Sequence, residues 1–379
     1  MRNLISKSTT ISVASAVLCF MFLNSRGIAQ DINLSIKAQI PGTVVTNIWS
    51  GASDSRIGGL TLSPDGSKVY AAYWTDSGSD HIEAYSTSNY SLVETMQYGT
   101  CHNDVVVSND GRYVYAPSYY EGNVSRFDRN NGNARTDLSA GEWSTATSKS
   151  PDGTKLIVYS GADGQPYDYG NDRVYVYNIS GGAFSTIGSV DMPDELRGHG
   201  NVFSNDGQYV YFSTYRRQSS AARLYEVSIG DALGVNRYLE FSGNGLQDVA
   251  GNLNTIFVSD SDNKKIWMVD KATWSITDSI DLSYQPGTIV MHPDGQNLFV
   301  AGIGTISVFD ITTKSLVSSL TDLQREVTNI ELNQDGSLAY ASWANSSSLG
   351  GITVINTPEP ATLLLFGLGG LAMLRKRRA

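Results

Sequence analysis

Cysteine is almost absent from this chain of 379 residues, which contains only Cys19 and Cys101. Cys19 falls in an apolar N-terminal stretch that we predict to be cleaved off as a signal peptide, which leaves Cys101 alone in the mature protein. A single cysteine excludes an internal disulfide, even in an oxidising compartment that would permit one. The mature fold must therefore depend on its hydrophobic core.

Several motifs of catalysis and cofactor binding are also missing. The sequence has no Gly-x-Ser-x-Gly elbow, no His-Glu-x-x-His pair and no glycine loop that would cradle a phosphate. It also lacks the Cys-x-x-Cys-His sequence that attaches haem, which weighs against electron transfer through covalent haem. Nothing in the sequence therefore points to nucleophilic catalysis, and no cofactor is expected.

Basic residues are scarce in the part of the chain that we expect to be mature. Of 27 basic and 37 acidic residues, seven basic and one acidic lie in 1–30 and 358–379, which leaves a net charge of −16 for 31–357. A surface of this sign repels phosphate backbones and favours divalent cations. We therefore exclude nucleic acid as a partner.

The N-terminus has the pattern of a secretory signal peptide. Arg2 and Lys7 give it a positive start, an apolar core follows over 11–23, and Gly27-Ile28-Ala29 supplies small residues for cleavage. We predict a signal peptide over 1–29 and export of the rest.

The C-terminus combines three features in a fixed order. Pro358-Glu359-Pro360 is followed by an apolar run over 361–374 and by a basic end over 375–378. As a helix the run would span roughly 21 Å, short of a hydrocarbon core of about 30 Å, so it suits transient insertion better than a permanent anchor. The basic end should stay on the cytoplasmic side.

Together these features, over 358–379, closely resemble the PEP-CTERM sorting signal of Gram-negative bacteria. The resemblance implies export across the inner membrane, processing by an exosortase and release to the cell surface or extracellular matrix. An ordinary C-terminal membrane anchor is the alternative, and either way the body of the protein faces outward.

A turn motif repeats along the chain at regular intervals. The spacings between its aspartate positions are 45, 42, 54, 46, 42 and 41 residues, counting Asn252 in a degenerate copy. A period in the forties that consists of short strands is typical of β-propeller blades. Proline, aspartate and glycine suit successive positions of a tight turn. The six regular copies have their aspartates at Asp65, Asp110, Asp152, Asp206, Asp294 and Asp335.

The ends of the repeat predict seven blades of four antiparallel strands over 31–357. The seventh repeat stops after its third strand at Asn356, and an unassigned strand over 34–40 precedes the first repeat. That strand can complete blade seven and close the ring, which removes open sheet edges. The repeat resembles YVTN-type seven-bladed propellers. That family includes lactonases, electron-transfer subunits, surface-layer proteins and binding scaffolds, so the resemblance implies a fold more than a function.

Topology divides the loops between two faces of the predicted propeller. The repeated turns join the first and second strands and mark a regular face, whose residues, His292 included, we interpret as structural. The opposite face carries aromatic side chains beside charged ones, as in sugar or peptide sites. We predict a ligand site there, mainly over blades one to four, with these residues: Trp74, His102, Asp104, Tyr119, Tyr120, Trp143, Arg197, His199, Tyr215 and Arg216.

Two further kinds of site are weaker candidates. His102 and His199 occupy similar places before the first strands of two blades, and with Asp104 they would be the catalytic residues if the protein were an enzyme. They could also bind a transition metal, with His81 from a neighbouring loop. Calcium is the better metal candidate, because two loops present alternating oxygen ligands. Those ligands are Asp76, Asp80, Asp260 and Asp262.

Three functions remain open at this point. The leading hypothesis is an exported, non-enzymatic binding or scaffold protein of the exopolysaccharide or biofilm matrix, whose ligand is a glycan or a surface protein. The first alternative is a lactonase-like hydrolase with its site at the channel mouth. The second alternative is a purely structural protein of the surface-layer type.

Overall fold

The computed structural model describes most of the chain between residues 35 and 357. The described ranges are 35–41, 56–74, 80–97, 104–119, 121–141, 144–161, 172–192, 200–214, 221–243, 245–321, 323, 326–344 and 350–357. The signal peptide predicted over 1–29 and the sorting signal predicted over 358–379 lie outside these ranges. No helix in the described ranges is long and apolar enough to cross a membrane.

Within these ranges the backbone forms strands, tight turns and two single 3₁₀ turns at Arg129–Asn131 and Ser180–Gly182. The strands are β1 (Ser35–Pro41), β2 (Arg56–Leu62), β3 (Lys68–Trp74), β4 (His81–Ser86), β5 (Leu92–Gln97), β6 (Val106–Val107), β7 (Tyr113–Pro117), β8 (Asn123–Asp128), β9 (Ala134–Ser139), β10 (Ser144–Lys149), β11 (Lys155–Ser160), β12 (Arg173–Asn178), β13 (Ser185–Asp191), β14 (Asn201–Phe203), β15 (Tyr209–Ser213), β16 (Ala221–Ile229), β17 (Leu233–Ser242), β18 (Leu246–Gly251), β19 (Thr255–Asp260), β20 (Lys265–Asp270), β21 (Ser275–Asp281), β22 (Pro286–Met291), β23 (Asn297–Gly302), β24 (Thr305–Asp310), β25 (Ser315–Leu320), β26 (Glu326–Leu332), β27 (Leu338–Ala344) and β28 (Gly350–Asn356).

The strands form seven four-stranded antiparallel sheets, which confirms the predicted all-β, seven-bladed class. Six sheets each use four consecutive strands, beginning with β2–β5 as blade one. The seventh sheet has the order β1-β28-β27-β26. Its fourth strand, predicted over 34–40, is observed at Ser35–Pro41 and pairs with β28, with Ser35 opposite Asn356.

Middle strands are buried on both sides because each sheet packs between two others. All five residues of β7 are buried, whereas the outer strand β21 exposes most of its side chains. One apolar core joins blades three and four, with Ile157 and Val176 on one side and Val210 and Val227 on the other. Successive side chains of the middle strands are therefore buried, and they do not alternate between buried and exposed as they would in a sheet with one face in solvent.

The first strand of each blade lies innermost, next to the first strands of the neighbouring blades. Blades seven and one also meet in this way, since the Thr328 hydroxyl donates to the carbonyl oxygen of Ile57 over 3.0 Å. We call the space that these innermost strands surround the central channel.

The repeated motif forms the turn between first and second strands, as predicted. In blade one the Gly66 N–H donates to the Ser63 carbonyl over 2.8 Å, and Gly66 has a φ of +67°. The turn between third and fourth strands lies beside it, because the Thr87 N–H donates to the Ser67 carbonyl over 3.0 Å. We call this side the turn face and the opposite side the loop face.

The last described residue also lies on the turn face. Thr357 is buried, its N–H donates to the Ser337 carbonyl over 2.9 Å, and its hydroxyl donates to the Gly336 carbonyl. Strand β28 therefore ends against the turn of blade seven.

Candidate functional site

Three acidic side chains of the innermost strands surround the central channel, and we call them the channel carboxylates. Asp104 stands two residues before β6, Asp248 lies in β18 and Glu331 lies in β26. They come from blades two, five and seven, and each interacts with the innermost strand of the next blade. This shared geometry makes the channel the best-defined polar site in the described residues.

Asp104 joins its own blade to blade three. Its Oδ1 accepts the Val105 N–H over 2.8 Å, and its Oδ2 accepts the Thr147 N–H over 2.8 Å. A Cβ at Gly59 of blade one would collide with the Asp104 carboxylate, so only glycine leaves room for it. The side chain is thus placed by three successive blades.

Asp248 repeats this arrangement three blades away. Its Oδ1 accepts the Val249 N–H over 2.7 Å, while Oδ2 accepts the Thr288 hydroxyl over 2.7 Å and the Ile289 N–H over 2.8 Å. A Cβ at Gly200 of blade four would collide with Asp248 and with its backbone. A glycine of the preceding blade, the aspartate and a backbone N–H of the following blade therefore form one motif, which occurs twice. We call it the channel motif.

Burial is the main cause of unusual acidity in this region. It raises the pKa of Asp104 to about 7 and that of Asp248 to about 6, although the N–H donors oppose the shift. The charge of Asp248 adds to the upward shift in the pKa of Asp104. Perturbed acids near neutrality are a mark of functional sites, although structural networks produce them too.

Glu331 and Lys149 add a pair of opposite charges. Burial raises the pKa of Glu331 to about 7, Asp104 adds to this, and Lys149 and the Leu62 N–H oppose it. Burial lowers the pKa of Lys149, and Glu331 opposes that shift. The channel can therefore gain or lose protons near neutral pH.

Only one predicted catalytic residue can be placed in this site. Asp104 lies at the channel, but His102 and His199 fall outside the described residues, so their convergence with Asp104 stays a prediction. Trp74 ends β3, and Tyr119 is half-buried between β7 and β8. The remaining predicted ligand residues also lie outside the described ranges: Tyr120, Trp143, Arg197, Tyr215 and Arg216.

The predicted metal ligands that can be placed lie near the ends of second and third strands. Asp260 accepts the Asn263 N–H over 2.9 Å and the Trp267 indole N–H over 2.9 Å, which accounts for its burial. Asp80 is buried just before β4, Asp262 follows β19, and Asp76 is outside the described residues. Among described residues no group of three or more His, Cys, Asp or Glu could hold a metal ion. Calcium binding stays a prediction.

Two histidines are placed by packing. His81 stacks on Tyr73 with ring centroids 5.0 Å apart, and its Nε2 lies 3.5 Å from Glu83 Oε1. It belongs to a third strand and not to the innermost ring. His292 is buried on the turn face and its Nδ1 lies 2.9 Å from Asp294 Oδ2, in agreement with the structural interpretation.

Asp248, Glu331 and Lys149 are not among the predicted site residues. Asp248 stands four residues before Asn252, as Asp104 stands four residues before Ser108. The alignment that places Asn252 at the aspartate position does not pair the two acids. The structure pairs them, because it matches Asn252 with Ser108. Glu331 and Lys149 have no such repeat signal.

Known proteins support the fold and the sorting signal. A family model described as "Lactonase, 7-bladed beta-propeller" matches residues 58–215, and a model described as "PEP-CTERM protein-sorting motif" matches 356–378. Hydrazine synthase of Kuenenia stuttgartiensis is similar in structure, with a TM-score of 0.68 and 18% identity over 83% of this chain and 99% of that chain. No curated protein matches the chain.

The chain is therefore a seven-bladed β-propeller protein. More specifically, it is a propeller with a C-terminal PEP-CTERM sorting motif, which implies processing by an exosortase and export to the cell envelope or surface. The lactonase match covers less than half of the chain, and the hydrazine synthase likeness extends to the fold alone.

Proposed function

We propose that this protein is an exported binding or scaffold protein of the exopolysaccharide or biofilm matrix, and that its loop face binds a glycan or a surface protein. The observation that carries the proposal is the sorting motif at 356–378, which follows a propeller of seven four-stranded blades in the same chain. A rigid propeller with variable loops on one face suits ligand binding outside the cell.

The bonding of the channel carboxylates favours binding over catalysis. Both oxygens of Asp104 already accept backbone N–H groups, and Asp248 is bound in the same way in another blade. A motif that recurs at two junctions is explained by blade assembly.

The proposal is tested by binding of the propeller, residues 31–357, to a panel of bacterial exopolysaccharides and glycans, with calcium and with a chelator. A variant with Tyr119→Ala, Tyr120→Ala and Trp143→Ala is measured alongside it. We expect the wild type to bind and the variant to bind at least about tenfold more weakly, as loss of aromatic anchors usually costs. Absence of binding to every glycan would refute the glycan form of the proposal.

A lactonase-like hydrolase is the second candidate, favoured by the family match at 58–215 and by Asp104, whose pKa of about 7 would suit acid–base work. Hydrolysis of a lactone series by the purified propeller tests it. Turnover that follows a group titrating near pH 7 and disappears in Asp104→Asn would favour the hydrolase. Neither turnover nor binding would leave a structural surface-layer role.

A further inference from the structure

The outer part of the loop face carries one arrangement of side chains in three successive blades. A basic residue lies within the first three residues of the third strand, an aromatic follows two positions later, and an acid stands opposite the basic residue on the fourth strand. The three sets are Arg173, Tyr175 and Asp191 in blade three; Arg223, Tyr225 and Glu240 in blade four; and Lys265, Trp267 and Asp281 in blade five.

Each set is held together by direct contacts. Arg173 Nε lies 2.7 Å from Asp191, Lys265 forms an ion pair with Asp281, and the Lys265 Nζ lies 5.5 Å from the Trp267 ring centroid. The corresponding residues of blades one and two are different. His81 stands opposite Gln97, and Asn123 opposite Ser139. The third strands of blades six and seven begin with Thr305 and Gly350, so the arrangement occurs only in blades three to five among the described residues.

Blade four adds a second aromatic ring to its set. Arg223 donates to Glu240 Oε1 from Nε over 3.0 Å and from Nη2 over 2.6 Å, and its guanidinium lies 4.4 Å from the Tyr238 ring centroid. The ring centroids of Tyr225 and Tyr238 lie 5.7 Å apart with their planes at 47°, and the ring of Tyr225 is buried. Tyr238 is therefore held in place by the guanidinium of Arg223 and by contact with the buried ring of Tyr225.

Tyr238 differs from the other aromatic residues in its exposure. It is 48% exposed, and it is the single exposed aromatic side chain among the residues that the structure describes. Blade three has Ser189 at the corresponding place opposite Tyr175, and blade five has Ser279 opposite Trp267. The chain places its described aromatics inside the blades or between them, with this one exception.

We propose that the surface around Tyr238, on the outer strand of blade four, binds a sugar ring of a neutral glycan chain. The part of the immobilised ring that stays exposed can pack against the apolar C–H face of a pyranose at little entropic cost. The second oxygen of Glu240 accepts a hydroxyl beside it, since both bonds from Arg223 go to Oε1. The matching sets in blades three and five give adjacent sugar units similar polar contacts.

Charge decides which kind of glycan fits. The basic residue of each set is already neutralised by its acid, and residues 31–357 carry a net charge of −16. An anionic polymer would therefore be repelled at long range, and the three basic residues of these sets are each already paired with an acid. A neutral polymer avoids this repulsion. The inference rests on the proposed function and names the ligand class and the subsite.

The test compares binding of residues 31–357 to three neutral probes, dextran, a soluble β-1,3-glucan and a soluble β-1,4-glucan, and to the anionic polymer alginate. Tyr238→Ser introduces the residue that blade three already has, while Tyr238→Phe keeps the ring. Ile187→Ser is the matched control, because Ile187 is also 48% exposed on an outer strand. Thermal unfolding of each variant shows that it is folded.

We expect at least one neutral glucan to bind, with affinity reduced about tenfold or more by Tyr238→Ser and within about twofold of wild type for Tyr238→Phe and Ile187→Ser. Preference for alginate over every neutral glucan would overturn the inference. The inference would also be overturned if Tyr238→Ser bound as well as wild type while the Tyr119, Tyr120 and Trp143 variant lost binding. This second result would leave the proposed function standing. No binding to any of the four polymers would overturn the inference and count against the glycan form of the proposed function.

Discussion

The turn face and the loop face of the propeller use the same repeat in different ways. On the turn face four serines bond alike: the hydroxyls of Ser63, Ser108, Ser150 and Ser204 each accept a backbone N–H over 2.9 Å. On the loop face the connection between second and third strands ranges from two residues at 303–304 to twelve at 161–172. Repetition thus specifies the fold, and departures from it indicate where function resides.

Acidic residues show the same contrast in their protonation. Asp65 on the turn face has its pKa lowered to about 2, chiefly by the Ser63 hydroxyl and the N–H and hydroxyl of Ser67. In the channel, burial raises the pKa of Asp104 to about 7. The turn acids stabilise the fold as carboxylates, while the channel acids are more stable protonated.

The largest effect that we predict is the pH dependence of stability. Between about pH 4 and 7 the folded protein binds more protons than the unfolded chain, because the folded pKa values of Asp104, Asp248 and Glu331 are raised. Unfolding free energy should therefore fall as pH rises, by about 4 kcal/mol for Asp104 alone. Below about pH 4 the turn acids protonate and stability falls again.

Denaturant unfolding of residues 31–357 from pH 3 to 8 measures this profile, and Asp104→Asn is the informative variant. The amide loses one acceptor and so lowers stability overall, but the slope between pH 4 and 7 should become smaller. If the unfolding free energy of the wild type stayed level or rose over this interval, the raised pKa values of the channel carboxylates would be contradicted.

Next in size is the cost of adding a methyl group at the channel motif. Gly200→Ala places a Cβ against Asp248 and its backbone, where nothing flexible can move away, so we expect a loss of about 3 kcal/mol. Gly234→Ala is the matched control, since a Cβ there meets nothing within 4 Å. Unfolding midpoints for the two variants should differ clearly, and equal midpoints would show that the close approach is not required.

The smallest change in stability is expected at one turn of the turn face. Ser150→Ala removes the acceptor of the Lys155 N–H and a donor to Asp152, for a loss of about 1 kcal/mol. Ser150→Asn should recover most of it, because Asn333 accepts the Leu338 N–H over 2.8 Å in blade seven. Thermal unfolding compares them; an Asn variant no better than the Ala variant would show that the two turns are not interchangeable.

The sequence was sufficient for the fold because turn chemistry is local. The offset from each Asp-Gly turn gives the first and second strands, and the missing fourth strand of blade seven points to the strand observed at Ser35–Pro41. Asp104 was identified for its place before a first strand. Glu331 interacts with both Asp104 and Lys149, which joins residues from three blades, and no local sequence pattern indicates this.

Exposure was equally hard to predict. Tyr238 is the one tyrosine of the strand Leu233–Ser242, and nothing in that sequence marks its side chain as exposed. Its exposure depends on which strand is outermost and on what the neighbouring blade leaves open. The predicted aromatic residues of the loop face were chosen by their position in loops, so a ring on an outer strand was missed.

The buried position of Thr357 has a consequence for orientation. Its contacts with Gly336 and Ser337 fix the last described residue on the turn face. The described chain therefore ends on the side of the regular turns, opposite the side that carries the connections between second and third strands, whose lengths vary most.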